Sequence, residues 1–72
     1  MNPNAESTIH MKTLREWRAY KKLSKRKVAE VLGVSESTYV RMEKRPYKLS
    51  IETAMALSEF YQCDLREINF FE

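Results

Sequence analysis

Cysteine, histidine and glycine each occur once, as Cys63, His10 and Gly33, and proline occurs twice, as Pro3 and Pro46. A lone cysteine closes no internal disulfide, and the histidine stands far from it along the chain. The composition therefore predicts no metal cluster, no redox pair, no cofactor, and a reducing, cytoplasmic setting. No apolar run approaches the ~20 residues of a bilayer span, and the polar opening Met1–Met11 does not have the pattern of a signal peptide, so no membrane association is expected. Paired acid and base groups, a phosphate loop and metal-ligand spacing are also missing, which argues against an enzyme. With 72 residues the chain has room for one domain and a modest core.

What the sequence does have is helix formers and unevenly placed charge. Alanine, leucine, lysine, glutamate and methionine are plentiful, and the scarcity of glycine and proline favours helix over sheet. The net charge is +3, but from Lys12 to Lys48 twelve Lys or Arg face four Glu, a net of +8. From Leu49 onward Arg66 alone opposes five acids, a net of −4. A polyanion would approach the first two-thirds of the chain and avoid the last third.

Apolar spacing and capping residues predict five short helices. Residues 1–10 have no apolar periodicity and read as a disordered segment before a domain over 11–72. Helix 1 runs from Thr13 to Lys22, with Leu14 and Trp17 inward. Ser24 caps helix 2, whose Val28, Ala29 and Leu32 face the core before Gly33 stops it. Ser35 caps helix 3, which directs Tyr39 and Met42 inward and ends near Lys44. Arg45–Leu49 reads as a loop, because proline breaks the helix. Ser50 caps helix 4, with Ile51, Ala54, Leu57, Ser58 and Tyr61 on one face, and Asp64 caps a last short helix that turns Leu65 and Ile68 inward. Trp17, Tyr39, Met42, Met55, Phe60 and Tyr61 are expected in the core, and Cys63 as a small buried apolar residue.

Two short helices joined around a glycine, the second polar on its outer face, are the ingredients of a helix-turn-helix unit. The string L-S-K-R-K-V-A-E-V-L-G-V-S-E-S-T-Y-V-R-M-E, Leu23 to Glu43, resembles the helix-turn-helix family of phage Cro and repressor proteins (XRE-like). Ala29, Gly33, Val34 and Ser35 carry the match, together with Ser50, Ile51, Glu52 and Thr53 at the start of helix 4, and the resemblance extends from about Leu14 to Ile68. It implies an all-α, lambda-repressor-like fold that binds double-stranded DNA.

Helix 2 gives a separate physical argument. Lys25, Arg26 and Lys27 crowd its first turn, where the helix dipole is positive and each cation costs roughly 0.3–1 kcal/mol. A phosphate there would meet free backbone N–H groups and cationic side chains together. On helix 3, Arg41 suits guanine, Glu36 suits a cytosine amino group or is simply a dipole partner, and Ser37 suits several bases. The resemblance implies that Glu36, Ser37 and Arg41 are the base-reading positions. Arg18, Ser24, Lys25, Arg26, Thr38, Lys44, Arg45 and Lys48 are the expected DNA-backbone contacts. It also implies an Arg18–Glu43 ion pair joining helix 1 to the end of helix 3. Arg45 and Gln62 depart from the family, which commonly has glycine at both positions.

Adjacent Phe70 and Phe71 cannot both fold inward on so short a tail. They predict either a homodimer contact or a tail folded back onto helix 1. The leading reading is a sequence-specific transcriptional regulator, a repressor of phage or prophage type. The alternative is a protein-interaction module, anti-repressor or antitoxin-like, that keeps the fold and binds a partner through the acidic, aromatic C-terminal third.

Overall fold

In the computed structural model, which describes residues 11–71, every α-helix starts at a hydroxyl side chain. The expected disordered stretch over residues 1–10 lies outside the described residues. Thr13 precedes α1 (Leu14–Tyr20), Ser24 precedes α2 (Lys25–Leu32), Ser35 precedes α3 (Glu36–Lys44) and Ser50 precedes α4 (Ile51–Tyr61). Each hydroxyl accepts from the backbone N–H three residues on, satisfying one free donor of the first turn at a gain of about 1 kcal/mol. At α1 the arrangement is reciprocal, because the Glu16 carboxylate accepts from the Thr13 N–H at 2.8 Å.

Helix ends are set by backbone conformation. Gly33 stops α2 at φ +74°, a left-handed geometry that glycine adopts without penalty. Gln62 ends α4 at φ +57° without that freedom, at a cost of about 1–2 kcal/mol. Arg45 leaves α3 at φ −134°, so this exit needs no glycine. The Arg45–Leu49 stretch is not an irregular loop throughout, since Pro46 opens a 3₁₀ turn, Pro46–Lys48.

Four α-helices are present among the described residues, one fewer than expected. Leu65–Glu67 is a 3₁₀ turn, capped by Asp64 as the sequence indicates. It does not lengthen because the chain beyond it pairs elsewhere: the Lys12 N–H donates to the Glu67 carbonyl at 3.0 Å, and the Asn69 N–H donates to the Lys12 carbonyl at 2.8 Å. These bonds form an isolated parallel bridge, Lys12 to Ile68, and no strand is present among the described residues. The tail thus lies beside the residue leading into α1.

Leu14, Trp17, Val28, Ala29, Tyr39, Leu57, Tyr61 and Ile68 form the core. The Trp17 indole N–H reaches the Glu67 carbonyl at 2.8 Å, so burying it leaves no unpaired donor. Two expectations for α4 are corrected. Ile51 is 66% exposed because the buried stripe of Ala54, Leu57 and Tyr61 ends one turn before it reaches the helix start. Met55 is exposed because it lies about 200° around the helix from Leu57.

Candidate nucleic-acid interface

The sequence around α2 and α3 folds so that one inner stripe packs and the remaining faces carry cations. Val28 and Ala29 bury α2 against the core, which leaves Arg26 and Lys27 exposed and Lys25 half-buried at its start. No acid stands in this first turn. Ser24 Oγ accepts from the Lys27 N–H at 3.0 Å, and its own hydroxyl proton remains for an acceptor outside the helix. The preceding amides of the turn have no intrahelical acceptor.

Tyr39 seats α3, turning Glu36, Ser37, Arg41 and Lys44 outward and leaving Thr38 and Val40 half-buried. The hydroxyls at its start are linked. Ser35 Oγ lies 3.2 Å from Ser37 Oγ and 2.8 Å from Thr38 Oγ1, and Arg41 Nη2 donates to Thr38 Oγ1 at 3.4 Å.

A cleft runs along each flank of α3. One, of about 430 Å³, is lined by Arg15, Arg18, Lys25, Val40, Glu43 and Lys44. The other, of about 240 Å³, is lined by Thr38, Arg41, Met42, Arg45, Lys48 and Leu49. The expected positions are therefore divided between two basic walls, with Lys25 and Lys44 on one side and Arg45 and Lys48 on the other. Ser24 and Arg26 line neither cleft. Arg15, about one turn from Arg18 on α1, was not among the expected positions; its signal is the i, i+3 spacing with Arg18.

Among the described residues Glu43 is the only carboxylate lining either cleft, and it is already paired. Arg18 Nε donates to Glu43 Oε2 at 2.7 Å and Nη2 to Oε1 at 3.5 Å, while Nη1 donates to the Leu23 carbonyl at 3.0 Å. The two side chains are 15% and 7% exposed. The hydrogen bond to Glu43 holds the Arg18 guanidinium even above its ordinary proton affinity. Each of its three nitrogens donates within the protein, so Arg18 ties α1 to α3 and to the turn before α2 while it lines the first cleft.

Elsewhere the chemistry is sparse. Burial pushes the Cys63 thiol up from its ordinary range, so it stays protonated at neutral pH. Among the described residues no cluster of His, Cys, Asp or Glu is arranged to hold a metal ion, and no helix is long and apolar enough to cross a membrane. A further, apolar groove of about 290 Å³ adjoins the second cleft at Leu49, with Pro46, Tyr47, Ile51, Phe70 and Phe71 also among its lining residues. Phe70 packs partly against the core while Phe71 is 81% exposed.

Residues 14–68 match the sequence model of a family described as helix-turn-helix. No curated protein and no solved structure matches the chain.

Proposed function

The chain belongs to the helix-turn-helix family of Cro and repressor type, a family of DNA-binding transcription regulators, and from that premise we propose that it reads a specific duplex sequence and acts as a repressor of phage type. In this reading α3 enters the major groove. The observation that carries it is the pair of basic clefts flanking α3, their single carboxylate neutralised by Arg18. A major groove is bounded by two phosphate backbones, and a helix lying in it needs cations on both sides.

Lys25, Lys44 and Arg15 face one backbone, and Arg45 and Lys48 face the other. Ser24, Arg26 and the open amides of α2 add contacts to the first, and Thr38 lies beside the second. Base reading falls to Ser37, Arg41 and Glu36 on the outer face of α3. Arg18 serves by holding that helix in place. The protein works as a dimer on two half-sites, with the apolar groove and the projecting Phe71 as the twofold contact, because a groove and an aromatic knob side by side are self-complementary.

A duplex titration against salt tests this. With about six phosphate contacts, log K falls with log salt at a slope of about −5. Arg41→Ala is expected to relax preference at one base pair by about 1–3 kcal/mol. Affinity that ignores salt, or an Arg41→Ala variant as selective as the wild type, would sink the reading. The same apolar groove favours the second reading, a module that docks another regulator or a toxin. That reading gains if the protein binds no duplex and stays monomeric until a partner protein is added.

A further inference from the structure

Among the described residues, side chains make two directional links between α3 and the helices behind it. The first is the Arg18–Glu43 pair, which reaches α1. The second is a contact between the hydroxyls of Tyr39 and Tyr61, 3.0 Å apart, which reaches α4. Both tyrosines are 0% exposed. Each hydroxyl has the other as a hydrogen-bonding partner, and because the Glu43 carboxylate stands beside Tyr39 alone, the Tyr61 hydroxyl is satisfied only while α3 and α4 keep their present register. Burial, the partner hydroxyl and the nearby Glu43 carboxylate all hold the Tyr39 proton in place.

The remaining support for α3 is apolar packing, which is non-directional and sets separation better than rotation or height. Tyr39 and Glu43 sit one turn apart on the inner face, at i and i+4. Arg18, Glu43, Tyr39 and Tyr61 therefore form a continuous polar run from α1 through α3 to α4. Contacts to base edges tolerate errors of only about 0.5 Å and 10–20° in the placing of a side chain. A helix carrying such contacts gains from a pin of this kind on its hidden side.

We propose, resting on the DNA-binding reading above, that Tyr61 is a positioning residue for the recognition helix. Its hydroxyl, acting through Tyr39, fixes the roll and height of α3 and so the aim of Ser37 and Arg41, and sequence discrimination depends on a side chain that no duplex touches.

The test uses Tyr39→Phe and Tyr61→Phe, singly and together. Tyr39→Phe keeps the ring but strands the Tyr61 hydroxyl and is expected to lower Tm; Tyr61→Phe leaves the Tyr39 hydroxyl beside Glu43 and is expected to lower it less. The double change removes both hydroxyls, leaves no orphan and brings Tm back toward the wild type. The decisive readout is the ratio of affinities for a duplex that the wild type selects from a randomised pool and for a shuffled duplex. In the double variant the shuffled duplex is bound as by wild type, since no cation is altered, while the ratio falls about tenfold, the low end of one base contact. A double variant with the wild-type ratio overturns the proposal. A wild type that selects no duplex overturns the DNA reading and the proposal with it.

Discussion

The four α-helices among the described residues all begin at a hydroxyl cap, yet α1, α3 and α4 each have a carboxylate in the first turn and α2 has three cations. The contrast extends to the two parts of the chain. Lys12–Lys48 is strongly basic, and the apolar side chains it exposes are scattered among cations. Leu49 onward is acidic, its last turn is closed by a reciprocal Asp64–Glu67 cap, and it exposes Ile51, Met55 and Phe71. The C-terminal part is net negative, but Glu52, Asp64 and Glu67 stand at helix starts, where the dipole favours an acid. In the N-terminal part the cations gather at a helix start, where the dipole disfavours them and an outside anion would offset the cost.

The largest expected effect comes from cancelling that imbalance. Replacing Lys25, Arg26 and Lys27 together by Glu should raise stability by about 1–2 kcal/mol, because acids suit a helix N-terminus. The same change should weaken duplex binding on the order of a thousandfold at low salt. Thermal melts and a binding titration on one sample check both signs; a variant that loses stability would show that the cations already have partners inside the fold. Next is Glu43→Ala, which leaves the mostly buried Arg18 without its carboxylate and is expected to cost about 2 kcal/mol in a denaturant titration.

The seam between the two parts, Tyr39 against Tyr61, gives a pH-dependent effect. Burial raises both hydroxyls above the ordinary value of 10.0. Between pH 10 and the raised folded values the unfolded chain loses tyrosine protons that the folded chain keeps. The contribution to stability is therefore full below pH 10 and declines as pH rises above it. Melts across pH 8–11 should show a larger loss at the alkaline end than the double phenylalanine variant does, the variant keeping only the part due to the buried Cys63 thiol. The smallest effect is expected at Gln62→Gly, which relieves the left-handed end of α4 and should gain about 0.5–1 kcal/mol, read as a small rise in Tm.

Much of this architecture was legible because caps and stops are local. Ser24, Ser35, Ser50 and Asp64 sit where their hydrogen-bonding chemistry requires, and Gly33 stands where a left-handed turn needs it. The crowding of cations on α2 and the polar outer face of α3 were equally readable, since both follow from spacing along one helix. The division of those cations between two clefts was not, because it depends on how α1 and the Pro46 turn approach α3. Ile51 was misplaced because periodicity gives the phase of a stripe and not where the neighbouring core stops. The fifth helix failed for a long-range reason, the pairing of Ile68 and Asn69 with Lys12. Tyr39 and Tyr61 each read correctly as core, but nothing in the sequence joins their hydroxyls across 22 positions.

The Lys12–Ile68 bridge brings the entry and exit of the folded body to within one hydrogen bond of each other. Joined into a host protein's surface loop, the unit would enter and leave at a single corner, so the host's own loop ends need hardly be spread and the closure entropy added is small. The same geometry makes a circular permutant practical. A short glycine-serine join across that corner would let new ends be opened at an exposed turn elsewhere.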